Sequence, residues 1–111
     1  MKLHQQQHGA VSLLKPEGPL AEPDLAEFSR TLRTLIGGKL GRVVLDLSAV
    51  PFVDSGGLEA LLDITDGLGQ SGQCLKLCAI NKTIRQVLEL TEIDSHFELF
   101  EDVNSAVRSF L

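Results

Sequence analysis

The sequence has 111 residues, with ten Lys and Arg against fifteen Asp and Glu, which gives a formal charge of −5 at pH 7. This length suits one domain with a core and is too short for two, so we expect a single domain over residues 1–111. No cluster of basic residues supplies the phosphate-binding surface of a nucleic-acid-binding protein. No apolar run approaches the ~20 residues of a membrane-spanning helix, and the N-terminus turns polar where a signal peptide would turn apolar. The composition therefore predicts a cytoplasmic protein that neither binds nucleic acid nor inserts into a membrane.

The first third of the chain is predicted to contain two strands and a helix. Lys2 to Gln6 and Ala10 to Leu14 are the expected strands, around a turn. Residues that interrupt regular structure follow at Pro16, Gly18, Pro19 and Pro23. Pro23 suits the first position of a helix, and Gly37-Gly38 suits a left-handed cap at the end of that helix. The loop from Lys39 to Gly41 then leads into the next strand.

The segment from Arg42 to Leu68 is predicted to form a buried strand, a short turn and an amphipathic helix. A short apolar run rich in β-branched residues indicates the strand, namely Val43, Val44, Leu45 and Leu47. Helical spacing of apolar side chains indicates the helix, at Leu58, Leu61, Leu62, Thr65 and Leu68. Asp46 is expected to end the strand by accepting hydrogen bonds from loop amides. Asp54 and Ser55 then fall at the helix N-terminus, where unpaired N–H groups favour a carboxylate or a hydroxyl.

The remaining third continues the alternation of strands and helices. We expect a strand over Cys74 to Ile80, a helix capped by Asn81, a short strand over His96 to Phe100 and a final helix from Val103 to Leu111. This order predicts an α/β fold with a mixed, mostly parallel sheet of about five strands and four helices. Functional sites in such sheets lie in the loops after the carboxyl ends of the strands, and the Asp54 to Gly57 turn is one of those loops.

Ser55 is the candidate functional residue of that turn. Capping alone would explain Asp54 and Ser55. Gly56 and Gly57 indicate something more, because each costs about 1 kcal/mol of helix propensity and each removes cover from the serine hydroxyl. Phosphorylation of Ser55 would add a charge of about −1.5 to −2 beside a helix N-terminus, which could hold the phosphate.

The motif around Ser55 resembles that of a known family. Asp46 to Leu58, DLSAVPFVDSGGL, is similar to the pattern D-L-S-x-V-x-F-x-D-S-[ST]-G-L of STAS domains, and the element order extends the likeness over nearly the whole chain. Within that family the sequence resembles the single-domain anti-sigma factor antagonists of bacteria. The resemblance implies that Ser55 is phosphorylated by a partner that is both an anti-sigma factor and a serine kinase, and that a PP2C-type phosphatase reverses this.

The same resemblance implies how the protein would regulate transcription. The unmodified protein would bind the kinase, as a monomer or a weak homodimer, and so release a sigma factor. The residues expected to contact the partner beside Ser55 are Asp54, Gly56, Gly57, Leu58 and Glu59.

Three residues differ from the family pattern, and two of them, Gly56 and Glu59, favour an alternative function. Gly56 stands where a second Ser or Thr is common, Glu59 where Gly is frequent, and Ala21 where an aspartate is frequent. A carboxylate at Glu59 would repel a phosphate on Ser55. The alternative is a STAS scaffold or regulatory module of a sensory or transporter complex that works without phosphorylation.

Other chemistry has little support in the sequence. Cys74 and Cys78 are separated by roughly 13 Å in an extended strand, beyond disulfide reach, so we expect reduced core thiols. His4 and His8 lack further ligands, and we predict no metal and no cofactor. The Asp54 to Gly57 tetrapeptide superficially matches the nucleophile of chymotrypsin-like proteases, but the chain is about half the needed length and a helix follows the serine. We therefore predict a protein-binding domain without catalytic activity.

Overall fold

A computed structural model describes residues 1–38 and 41–111. The elements are β1 (Lys2–His8), β2 (Val11–Glu17), α1 (Leu25–Gly38), β3 (Val43–Asp46), α2 (Ser55–Gly69), β4 (Leu75–Cys78), α3 (Lys82–Leu90), a 3-10 turn (Asp94–His96), β5 (Phe97–Phe100) and α4 (Val103–Arg108). The predicted element order and fold class are confirmed. Most of the predicted loop from Lys39 to Gly41 lies outside the described residues.

The five strands form one sheet in the order β1-β2-β3-β4-β5. β1 and β2 are antiparallel, and the three pairs that follow are parallel. One row of paired residues runs from Gln5 through Leu14 and Leu45 to Leu77 and Leu99. Parallel neighbours require helical crossovers, which α1, α2 and α3 provide. The carboxyl ends of β2 to β5 therefore meet at one edge of the sheet, called here the carboxyl edge.

The two faces of the sheet are covered unequally. Phe28 of α1, Leu61 of α2 and Ile84 of α3 share the larger buried cluster with Leu45 of β3. Val44, the neighbour of Leu45, points to the opposite face and joins a smaller cluster beneath α4. This alternation is the period of two that a strand imposes, and β3 is buried on both faces.

Pro16 does not interrupt β2, contrary to prediction. It lies inside the strand and pairs with Leu3 of β1. The described pairs between β2 and β3 end with Leu14 opposite Leu45, so Pro16 lies past the part of β2 that needs hydrogen bonds on both sides. A residue without an N–H is tolerated at such a position, and the strand continues to Glu17.

Both predicted limits of the first helix were wrong. α1 begins at Leu25, and Pro23 lies in the turn before it. Gly37 and Gly38 belong to the helix. Among the described residues at this helix end, the left-handed one is Gly41, with φ +82°, whose N–H donates to the Ile36 carbonyl oxygen at 3.0 Å. This hydrogen bond satisfies one of the carbonyl groups that a helix end leaves without a partner.

The later elements are shorter than predicted. β4 ends at Cys78, because Ala79 has φ +57° and turns the chain out of the sheet. His96 belongs to the 3-10 turn, and β5 begins at Phe97. α4 ends at Arg108.

Candidate functional site

The start of α2 has the geometry that its sequence predicts. Asp54 is extended, with φ −83° and ψ −178°, and its Oδ1 accepts the Gly57 N–H at 2.8 Å. Its backbone carbonyl accepts the Leu58 N–H at 2.9 Å. Asp54 is therefore the cap, and Ser55 is the first residue of the helix and is exposed. Since Asp54 performs the capping, the Ser55 side chain is not needed for it.

The two glycines after Ser55 differ in how closely neighbouring atoms approach them. Gly57 is buried, and a Cβ added to it would lie 2.4 Å from the Leu20 carbonyl oxygen and 2.6 Å from Val53 Cγ1. Only glycine fits there without moving the backbone. A Cβ at Gly56 would lie 3.0 Å from Leu25 Cδ1, the end of a flexible side chain. Close packing thus explains why residue 57 is glycine. The sequence suggested a different reason for both glycines, namely that they leave the Ser55 hydroxyl exposed.

The loop after β2 holds one side of the Ser55 turn. Leu20 donates its N–H to the Phe52 carbonyl oxygen at 3.1 Å and accepts the Asp54 N–H at 3.2 Å. Gly18 donates its N–H to the Ala49 carbonyl oxygen at 3.0 Å. The Leu20 side chain is fully buried. This short parallel pairing fixes the backbone that leads into Ser55.

Asn81 holds the other side of the turn. Its Oδ1 accepts the Ile84 N–H at 2.8 Å, which confirms its predicted role as the cap of α3. Its Nδ2 also donates to the Pro51 carbonyl oxygen at 3.0 Å, so one amide joins two loops of the carboxyl edge. Neither this second role of Asn81 nor the role of Leu20 is predicted from the sequence. A good capping residue directly after a strand, next to another loop of the same edge, was the available signal for Asn81.

The predicted partner-contacting residues differ in how accessible they are. Asp54 and Gly56 are half-buried, and Glu59 is exposed one helical turn after Ser55. Leu58 is half-buried and packs against the larger core cluster. Gly57 lies beneath the turn. Asp46 is buried at the end of β3, and its Oδ1 accepts the Ser48 N–H at 2.9 Å, as predicted.

A shallow groove runs from the Ser55 turn between α1 and α2. Its α2 side presents Glu59 and Asp63, and Glu22 adds a third carboxylate near the start of α1. Arg33 of α1 lines the same groove. Three acidic groups against one basic group make this surface negative, which favours a partner with basic groups and disfavours an added phosphate.

The two cysteines do not provide a reactive thiol. Cys78 is buried, and this burial raises the pKa of its thiol to about 12. Cys74 is half-buried, and desolvation raises its thiol pKa as well. Both are free, so the expectation of reduced thiols is met, although only Cys78 belongs to the core. Thiols with raised pKa values are poor nucleophiles at neutral pH.

Residues 1–38 and 41–111 contain neither a metal-binding cluster nor a membrane-spanning helix. His, Cys, Asp and Glu side chains there form no group of three that could hold a metal ion. None of the helices in those ranges is long and apolar enough to cross a membrane.

Fold and site together define a small α/β domain that presents a serine on a braced turn at the carboxyl edge. The chain belongs to the STAS domain family, whose family model matches residues 2–106. The expected family is therefore confirmed.

Relatives of the chain include anti-sigma factor antagonists. It is 27% identical over 100 residues to the anti-sigma-F factor antagonist RsfB of Mycobacterium tuberculosis, covering 90% of this chain and 81% of RsfB. The crystal structure of an anti-sigma factor antagonist from Mycobacterium paratuberculosis superposes with a TM-score of 0.83 at 23% identity, covering 97% of this chain and 92% of that one. The phosphorylated form of SpoIIAA, a cell fate determinant of Bacillus, superposes with a TM-score of 0.73 at 14% identity, covering 99% and 100%. At these identities the solved structures establish the shared fold.

Proposed function

We propose that this chain is an anti-sigma factor antagonist that binds an anti-sigma factor with serine kinase activity and is switched off by phosphorylation of Ser55. One observation carries the proposal: Ser55 is exposed as the first residue of α2, while the neighbouring Asp54 side chain caps the helix. The name of RsfB and the existence of a phosphorylated form of SpoIIAA support the same function.

The capping geometry explains how Ser55 can react without local unfolding. The Gly57 and Leu58 N–H groups are bound by the Asp54 side chain and backbone, so the helix start does not depend on the Ser55 hydroxyl. In the transfer, the serine oxygen bonds to the γ-phosphorus of ATP, ADP leaves, and the hydroxyl proton passes to a base of the kinase. The new phosphate lies at the first turn of α2, where the helix dipole favours negative charge.

Phosphorylation would end binding because it adds charge and bulk at a contact fitted to the bare Ser55 hydroxyl. A partner fitted to the unmodified protein faces Asp54, Glu59 and Asp63, and the phosphate adds about −1.5 to −2 of charge to that surface. Burying an uncompensated charge of this kind at an interface costs on the order of 2–5 kcal/mol. Since 1.4 kcal/mol is a factor of ten, affinity would fall about 30-fold to several thousand-fold.

The proposed cycle involves two partner proteins. Binding of the unmodified chain to the kinase frees the sigma factor, and a PP2C-type phosphatase restores Ser55 in the cytoplasm. The partners would supply the catalysis, and this chain would supply the presented hydroxyl and the surface around Ser55.

Binding measurements with charge variants test the proposal. We expect Ser55→Asp to weaken binding to the ATP-loaded anti-sigma factor kinase of the same organism by at least 30-fold, and Ser55→Ala to keep binding but gain no phosphate by intact mass. Ser71→Asp is the matched control, because Ser71 is exposed just past the opposite end of α2. Equal affinity of Ser55→Asp and wild type would contradict the switch. Wild-type binding without any gain of phosphate would instead favour the non-phosphorylated STAS module.

A further inference from the structure

Phe52 is an aromatic side chain left partly in water. Its relative exposure is 47%, whereas Phe28 and Phe97 are at 0% and 6%. Among the described residues, the other large hydrophobic side chains with high exposure are Leu90 at 83% and the final residue, Leu111, at 96%. Scattered exposed aliphatic residues are ordinary, but an aromatic ring in the loop that leads to Ser55 lies where a partner would dock.

The backbone beneath Phe52 is fixed on both sides. Its carbonyl oxygen accepts the Leu20 N–H at 3.1 Å, and the preceding Pro51 carbonyl oxygen accepts the Asn81 Nδ2 at 3.0 Å. The loop therefore presents the ring from a position that needs little further ordering. Because the backbone is already ordered, binding would restrict little more than the ring itself, and such pre-ordering favours affinity.

The distance from Phe52 to Ser55 places both under one partner. They are three residues apart, so their Cα atoms are separated by at most about 11 Å. A stable protein interface covers about 800 Å² on each partner, equivalent to a disc with a radius of about 16 Å. An interface of that size centred on the Ser55 hydroxyl therefore also reaches the position of Phe52.

We infer that Phe52 is the apolar anchor by which the kinase that phosphorylates Ser55 holds this chain, seated in an apolar pocket of the kinase beside its active site. The inference rests on the proposed function and adds the residue that supplies the affinity. The ring is separate from the hydroxyl that reacts, so it contributes alike to the bound substrate and to the transition state. Loss of such uniform binding raises KM and leaves kcat unchanged.

Kinetics with the ATP-loaded anti-sigma factor kinase of the same organism test the anchor. We expect Phe52→Ala to weaken binding and to raise the KM for phosphorylation about tenfold or more, with kcat unchanged. Phe52→Leu keeps apolar bulk and should raise this KM only about threefold. Leu90→Ala is the matched control, since it removes a more exposed apolar side chain at the far end of α3 and should change neither constant.

The outcomes distinguish the role proposed for Phe52, the anchor, from the phosphorylation switch proposed for Ser55. If Ser55→Asp loses binding while Phe52→Ala binds like wild type, the anchor is wrong and the switch stands. A lower kcat with unchanged KM would also overturn the anchor. If wild type neither binds the kinase nor gains a phosphate, the proposed function falls and the anchor with it. Thermal unfolding of each variant checks that it folds. If Phe52→Ala does not fold, the rise in KM of Phe52→Leu alone tests the anchor.

Discussion

Both ends of α2 carry glycines, and the two ends have opposite surroundings. At the start, Gly57 is packed so closely that a Cβ would lie 2.4 Å from the Leu20 carbonyl oxygen. Near the far end, a Cβ on Gly67 or Gly69 would meet no heavy atom within 4 Å among the described residues. The backbone that presents Ser55 is thus determined by tertiary contact, whereas the glycines of the far end are not required by packing. Replacing residues at each end tests this difference.

Gly57→Ala should have the largest effect on stability. The new methyl group would meet the Leu20 carbonyl oxygen, which also accepts the Asp54 N–H at 3.2 Å, so making room for it would disturb the bond that fixes the turn. Overpacking of this kind costs about 2–3 kcal/mol. Urea unfolding followed by circular dichroism measures the loss, and the proposed phosphorylation of Ser55 should slow as the turn shifts.

Gly56→Ala is the control for that substitution. Its Cβ would meet only the end of the Leu25 side chain at 3.0 Å and the Asp54 Oδ1 at 3.4 Å, so a small rotation relieves the contact. The loss should be well below that of Gly57→Ala. Equal losses at Gly56 and Gly57 would show that helix entry, rather than contact with Leu20, sets the need for glycine.

Asp54→Ala should have the next largest effect, about 1 kcal/mol of unfolding free energy, because it leaves the Gly57 N–H without its acceptor. Asp54→Asn retains an acceptor oxygen and should lose only a few tenths of that amount. If both variants unfold at the wild-type urea concentration, the cap does not stabilise this end of the helix.

Local features of the Ser55 turn could be predicted from the sequence, and its long-range contacts could not. Asp54 as the cap and Ser55 at the helix start follow from signals within a few residues, as does Asn81 as the cap of α3. The Asn81 bond to Pro51 spans 30 residues, and the capping signal at Asn81 does not specify this partner. The packing of Gly57 against Leu20 likewise depends on how two crossovers are placed.

Several predicted ends of helices and strands were wrong for the same reason, because long-range contacts decide where an element ends. Pro16 would break a strand bonded on both sides, but the described pairing of β2 with β3 stops before it. Gly37 and Gly38 have the composition of a helix end, yet α1 runs through both and the left-handed residue is Gly41. Tertiary context decided which breaker residues actually ended an element.

Asn81→Asp tests whether the neighbouring loop braces the Ser55 end of α2. The carboxylate keeps the acceptor for the Ile84 N–H and removes the donor to the Pro51 carbonyl oxygen. The lost hydrogen bond lowers the free energy of unfolding by about 1 kcal/mol. The negative charge at the start of α3 offsets part of this, so the net loss is about 0.5–1 kcal/mol. Amide hydrogen exchange should rise in the Ser55 turn and stay unchanged beyond Gly67. Unaltered exchange in the turn would show that Leu20 alone fixes it.

Gly67→Ala should have the smallest effect, with the opposite sign. Gly67 is exposed within the last turn of α2, and an added methyl group meets no described heavy atom within 4 Å. Alanine there restricts the unfolded chain and favours the helix, so stability should rise by about 0.5 kcal/mol. Urea unfolding measures the gain, and binding to the kinase should not change, because the substitution lies at the end of α2 away from Ser55. A loss of stability at Gly67 would mean that the far end is packed as tightly as the start, and the difference between the two ends would disappear.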